Sequence, residues 1–389
     1  PSLIFLVQSN TVETELYLGK RQEAHRRLDE ATRLLAKLRP PPPLVAYQRA
    51  AAQVAQADGD FPAAIVFLER ARREMESTGD IHGNSYAGLL SVLRLYHFLA
   101  GDLREAQRNA LEMVDVHRRH HRENSVPGMI SRGVLAMSYG DIGQVARSRS
   151  MLEEVFPELA HPDTAEPGIW LVFGWVYGEG LGRLGQGERA LPLIRDSLDM
   201  VMSGSNRMNE IRARLALART LLEVGRLKEA QAEVDTVVAT TASDSTANRI
   251  WLIETDRLRA ELDLRRARLD RAEVEARSAL RRIGDPTPSI GPRLGPVLLT
   301  LARVQLARGS AEQALDSSLQ ASRVFASATD EPSQSADYGG SMLVAAQAQF
   351  AAGRSAEARR SLALAVPALS NGLGAAHELT HFAQELADR

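Results

Sequence analysis

Short turn signals recur along this chain at an almost constant interval, and no other feature narrows the fold as much. Gly19, Gly59, Gly101, Gly143, Gly185, Gly225, Gly309 and Gly353 each stand at such a break, and Ala267 fits the same grid in place of a glycine. The steps between the nine anchors are 40, 42, 42, 42, 40, 42, 42 and 44 residues. A period of this size marks an array of supersecondary units, each stacked on its neighbours.

The positions around the anchors repeat as well. Five residues after each stands a small residue: Ala24, Ala64, Ala106, Ser148, Ala190, Ala230, Ala272, Ala314 and Ala358. Seven before it stand Ala52, Ala136, Gly178, Ala218, Ala260, Ala302 and Ala346, with Val12 and Arg94 as exceptions. Offsets of +2, +5, +9 and +12 lie close to multiples of 3.6 and so form one helical stripe. Each repeat is therefore expected to hold two antiparallel helices. The first leaves through a left-handed glycine, and the second starts one or two residues later. Small residues at −7 and +5 let the two backbones approach, and one pair alone cannot bury its stripe, so the pairs must stack.

This pattern of a small residue, Gly, Ala five later, then a large apolar and another small residue resembles the tetratricopeptide repeat. The period of about 42 is longer than the usual 34. It is similar to the longer-helix variety of kinesin light chains and of the arms of bacterial regulators such as maltose-activator-like ATPases and serine/threonine kinases. Leu373-Gly-Ala-Ala-His-Glu-Leu-Thr380 is similar to the turn between kinesin-light-chain repeats. The expected fold is all-α: a right-handed superhelical solenoid of nine helix pairs over 1–372, with a capping helix in 373–389. That last helix, at 375–386, should pack Ala375, Leu379, Phe382, Ala383 and Leu386 inward. Pro- and polar-rich connectors are expected at 40–43, 162–167, 240–246, 285–296 and 330–337.

Composition removes several functions. Basic and acidic residues nearly cancel, 47 against 49, for a net charge of −2, so no direct nucleic-acid partner is expected. There is no cysteine, which excludes disulfides, thiolate zinc sites and Cys nucleophiles. The longest uncharged stretches fall short of the ~18 residues a membrane helix needs. No membrane insertion is expected, and a cytoplasmic location is. The opening Pro-Ser-Leu-Ile, without Met, suits an excised or processed piece of something longer.

Two motifs carry chemistry on paper. His377-Glu378-Leu379-Thr380-His381 is a literal H-E-x-x-H, which on a helix aligns two imidazoles for zinc with Glu as base. Only eight residues follow it, too few for the third ligand a catalytic zinc needs. Both histidines are expected to face solvent, and a zinc peptidase is a remote alternative. Gly180-Leu-Gly182-Arg-Leu-Gly185 is formally G-x-G-x-x-G, but a dinucleotide site needs a preceding strand. Here Gly185 is a repeat anchor and core packing is expected. The run His117-Arg-Arg-His-His-Arg122 reads as a solvated helix end whose cations complement the dipole. Neither a cofactor, a metal nor a catalytic set is expected.

The resemblance implies that first helices line a concave face, at 13, 10, 6 and 3 residues before each anchor. Carried onto this chain, those positions give Trp175, Arg212, Arg219, Arg257, Arg303 and Gln347 as candidate partner-binding residues, with Glu254 and Glu261 interspersed. Arginines on rigid helices suit bidentate capture of carboxylate. The expected function is a non-enzymatic interaction scaffold that binds a peptide or protein segment, acidic by this reading. The alternative is an effector-binding arm of a larger bacterial activator or receptor kinase. Pairing into a homodimer through the solenoid ends is a further expectation.

Overall fold

The computed structural model describes residues 2–160, 167–203, 207–241, 249–284 and 291–389. Of the connectors expected at 162–167, 240–246 and 285–296, residues 162–166, 242–246 and 285–290 lie outside the described residues, while 240–241 and 291–296 are helical, contrary to expectation. Among the described residues the chain is all helix and turn, without strand.

Two compact units divide the chain, Pro1–Ser131 and Arg132–Arg389. The first holds three helix pairs: α1 (Ser2–Tyr17) with α2 (Arg21–Leu35), α3 (Val45–Ala57) with α4 (Phe61–Thr78), and α5 (Asn84–Ala100) with α6 (Leu103–Arg119). Next come α7 (Val126–Asp141), in which the boundary falls, and α8 (Val145–Val155). The fifth pair is α9, whose helical pieces Pro167–Ile169 and Trp175–Arg183 flank a π-helical stretch Trp170–Gly174, and α10 (Gly187–Ser203). Three pairs then follow: α11 (Arg207–Glu223) with α12 (Leu227–Thr241), α13 (Arg249–Arg265) with α14 (Leu269–Ile283), and α15 (Gly291–Ala307) with α16 (Ala311–Ser327). The last pair is α17 (Ala336–Ala351) with α18 (Ser355–Leu373), and α19 (Glu378–Ala387) closes the chain.

Every anchor adopts the left-handed conformation that the repeat grid implies, Ala267 included. φ is positive at all eight anchor glycines, from 72° at Gly19 to 88° at Gly101, and is 56° at Ala267. At each of the nine, the anchor N–H donates to the carbonyl three residues back, and the following N–H donates to the carbonyl five before it. That is the Schellman closure, which satisfies two otherwise orphaned helix carbonyls. The residue after the anchor then accepts, through its own carbonyl, the N–H of the small residue at +5. One turn thus ends one helix and starts the next within two residues.

The small residues sit where the helices meet. All nine at +5 are 5% exposed or less, and Ala52, Ala136, Ala218, Ala260, Ala302 and Ala346 at −7 are fully buried. The exception Arg94 is also buried, at 4%, with its guanidinium 5.6 Å from the Phe98 ring. The stripe continues through +9 and +12, as in the cluster of Ala346, Ala358, Leu362, Ala365 and Leu369. At about 25 cal/mol per Å² of apolar area, it is this face that drives the stacking.

The capping helix starts later than the sequence pattern implied. Gly374, at φ 100°, stops α18, and His377 forms the N-cap of α19. Leu379, Ala383 and Leu386 pack on the last core cluster, but Phe382 stays 40% exposed. The apolar face of α19 is therefore narrower than expected.

Within the second unit the array meets itself five repeats apart. The Gly143 carbonyl accepts from Ala336 N–H at 2.9 Å, and α18 packs on α8. Arg183 bridges the Gly140 carbonyl at 3.2 Å and Asp337 at 2.7 Å. Gly143 has no room for a side chain, because a Cβ there would fall 2.5 Å from Ser335 Oγ.

Candidate functional site

The fifth, sixth, seventh and eighth repeats of the second unit bring the predicted concave residues together. Their first helices, α9, α11, α13 and α15, carry a chain of ion pairs from one helix to the next. Arg219 holds Glu179 and Glu254, each at 2.7 Å. Glu254 also takes Arg257 at 2.6 Å. Glu261 takes Arg303 at 3.3 Å and accepts from Thr300 at 2.7 Å. Side-chain exposure runs from 12% at Glu261 and 13% at Arg257 to 40% at Arg303, so the ladder is dry at its middle and wet at one end.

Burial and charge act in opposite directions on these groups. Desolvation alone would raise the carboxyls and lower the guanidinium groups. For Glu254 the nearby Arg257 and Arg219 outweigh burial and bring it down to about 2. Glu261 is lowered by Arg303 and Arg257, and Arg219 and Arg257 are held above their ordinary value by their carboxylates. Arg293 on α15 goes the other way: burial pushes it down to about 10.

The arginines picked from the sequence are thus not a row of open carboxylate receptors, since Arg219, Arg257 and Arg303 already hold the chain's own glutamates. Sequence reasoning treated Glu254 and Glu261 as interspersed and missed Glu179 altogether. The signal was present. Six residues before successive anchors stand Glu179, Arg219, Glu261 and Arg303, alternating in sign.

Trp175 and Arg212 form a second element. The Arg212 guanidinium lies 4.7 Å from the Trp175 ring, a cation–π stack. Trp175 is only 4% exposed, and its Nε1 is buried without a hydrogen-bond partner. Gln347 sits half-buried on α17, next to the core residues Ala346 and Ala348.

The glycine-rich fifth repeat is core. Trp170 and Phe173 are 2% and 1% exposed, and Phe173 stacks on Phe156 at 4.9 Å. Gly182 meets Thr220 and Gly178 meets Ile194, so these glycines admit neighbouring helices. The π stretch has a local cause. Ser197 Oγ of α10 donates to the Trp170 carbonyl at 3.1 Å and accepts from Trp175 N–H at 3.2 Å. A side chain inserted into the helix ladder displaces its register in this way.

The H-E-x-x-H motif does not form a helical pair of ligands. His377 has extended backbone, φ −72° and ψ 141°, and its Nδ1 accepts from Leu379 N–H at 3.2 Å. It is half-buried against the Gly185 turn, where burial pushes its imidazole down, and so does not face solvent as expected. His381 is exposed. Among the described residues, no three His, Asp or Glu side chains are arranged to hold a metal ion. None of the described helices is long and apolar enough to cross a membrane.

Comparison with known proteins agrees with the repeat grid. The family model for the tetratricopeptide repeat matches 211–236, 295–317 and 339–363, each bracketing one anchor. Those three segments of the chain are tetratricopeptide repeats. Three solved structures share the fold. NprR in complex with its cognate peptide NprX is 14% identical, with a TM-score of 0.56, over 81% of this chain and 87% of that one. The Rap conjugation gene regulator of plasmid pLS20, in complex with the Phr* peptide, is 12% identical with a TM-score of 0.52, over 83% and 97%. A Rap protein complexed with competence and sporulation factor is 12% identical with a TM-score of 0.50, over 100% and 97%. No curated protein sequence matches the chain.

Proposed function

We propose that this protein is a non-enzymatic scaffold whose second unit binds a peptide or protein segment along the face formed by α9, α11, α13 and α15. The observation that carries this reading is the ion-pair ladder, which fixes polar groups at the same register on four successive helices. Support also comes from two of the similar solenoids, whose names record bound peptides. The ladder refines the expected ligand. A carboxylate on the ligand meets least competition at the wet end, where Arg303 holds Glu261 at 3.3 Å.

The test is to select peptides from a displayed library against the full chain and measure their affinity for variants. Arg303→Glu and Arg212→Glu should each weaken a selected peptide about tenfold or more, as loss of a charge-assisted contact does. Arg277→Glu, on the exposed face of α14, should leave it unchanged. Equal effects from all three would remove the site.

A second reading rests on the same neighbours, two of which are named as a complex with a cognate peptide and as a gene regulator. In it the array is the effector-binding arm of a larger regulator. A full-length gene without any kinase, nucleotide-binding or DNA-binding region would count against it.

A further inference from the structure

We propose that the contact between the turn after α7 and the start of α17 is a releasable latch. Closed, it holds the second unit as a circuit of repeats that restricts access to the ladder face; released, it admits a ligand. The ligand's place on that face follows from the scaffold function proposed for it, whereas the latch itself can be tested without any ligand. The circuit is continuous: α8 packs on α9, each later repeat packs on the next, and α18 returns to α8. First helices also act on each other across it. Asp141 of α7 is felt by Arg293 of α15, and Asp337 of α17 by Arg257 of α13.

The joint differs in kind from the seams between consecutive repeats. Those are apolar, as where Ala279 and Ile283 of α14 close on Val297 of α15. The joint is held by polar groups. Ala336 N–H donates to the Gly143 carbonyl at 2.9 Å, and Arg183 is shared between the Gly140 carbonyl and Asp337. Arg147 lies 3.6 Å from Glu331, with both side chains more than half exposed. Water replaces such pairs at little cost, so this is where the circuit parts first. Asp337 also ties the latch to the ladder, because one carboxylate holds Arg183 and acts on Arg257. A ligand carboxylate on the ladder takes over part of that attraction and, by linkage, favours the released state.

The chain has no cysteine, so Gln347→Cys reports access to the inner register of α17, six residues before its anchor. The rate at which a maleimide bearing a polyethylene glycol chain labels it should rise about fivefold or more in Gly143→Ala and in Arg183→Glu. Gly309→Ala changes the same left-handed turn in open space and should leave the rate unchanged, which separates release from turn strain. Spin labels on Arg147→Cys and Glu331→Cys should report a longer distance in the same two variants. Joining those two cysteines with a bifunctional maleimide should slow association of a library-selected peptide about tenfold or more. Labelling rates and label distances equal to the parent's in Gly143→Ala and Arg183→Glu would overturn the latch. A joined chain that binds the peptide at the parent rate would overturn its control of access. Faster labelling of a chain for which no peptide can be selected would support the latch and count against the scaffold function instead.

Discussion

The fifth and seventh repeats occupy the same grid and solve it differently. In the seventh, Ala260, Ala272, Ala276 and Ala279 are all fully buried, so α13 and α14 meet through a uniform alanine seam. In the fifth, Gly178 faces the bulky Ile194, and Ser197 replaces the alanine at +12. The fifth keeps a glycine anchor and pays with a π stretch in α9. The seventh keeps regular helices but bends at Ala267, and it supplies three of the ladder's charges. The grid therefore fixes spacing and turn geometry, while the size and polarity of each seam are set by pairs of residues chosen together.

The largest effect should come from the charges of the seventh repeat. Glu254→Gln leaves Arg219 and Arg257 facing each other without their shared carboxylate, and removing one partner of a buried pair costs about 3 kcal/mol. The outer end should differ: Arg303→Gln, at 40% exposure, should cost no more than about 1 kcal/mol. The same ladder gives a pH signature. Because the folded-state value of Glu254 is lowered from 4.5 to about 2, its stabilisation is complete above the unfolded value and is lost as pH falls from 4.5 to 2. Denaturant midpoints measured over that range should fall steeply for the parent chain and less steeply for Glu254→Gln.

Next in size is the seam of the fifth repeat. A Cβ on Gly178 would lie 2.5 Å from Ile194 Cγ1. Gly178→Ala should therefore destabilise by about 1–3 kcal/mol, despite the better helix propensity of alanine. Placed in an Ile194→Ala background, which reproduces the alanine seam of the seventh repeat, the same substitution should become neutral or stabilising. A double-mutant cycle with no coupling would show that the two repeats do not differ in the way described. Ser197→Ala makes a smaller exchange of the same kind. It removes the hydroxyl bridging Trp170 and Trp175 and should cost about 1 kcal/mol, with a change in tryptophan fluorescence as α9 relaxes.

Much of this architecture was legible before any coordinates. The nine anchors, their left-handed turns and the buried small residues follow from glycine's access to positive φ and from alanine's size, both local properties. Less legible were features that depend on which residues meet across helices. Arg219 read as an open receptor because its partners Glu179 and Glu254 stand on neighbouring helices. The Glu254 that holds Arg257, by contrast, stands three residues before it on the same helix and was legible from that spacing. His117 read as solvated because its neighbours in sequence are charged, although its own side of α6 is buried. The literal H-E-x-x-H failed for the converse reason: helix α19 begins only at Glu378, so His377 lies before the first turn that would align it.

The smallest expected effect is also the most direct exchange between the two repeats. Ala267 holds φ at 56°, a region that costs an L-residue about 1 kcal/mol and glycine almost nothing. Its two Schellman hydrogen bonds, to the carbonyls of Leu264 and Asp263, match those at every glycine anchor, so nothing in the folded turn requires the methyl group. Ala267→Gly frees that strain but also enlarges the unfolded ensemble, which takes back part of the gain. The net should be a stabilisation of about 0.5 kcal/mol, visible as a small upward shift in denaturant midpoint with unchanged slope. The reverse exchange, Gly185→Ala in the fifth repeat, should lose about 1 kcal/mol. If both changes move stability in the same direction, turn strain is not what distinguishes the seventh anchor from the other eight.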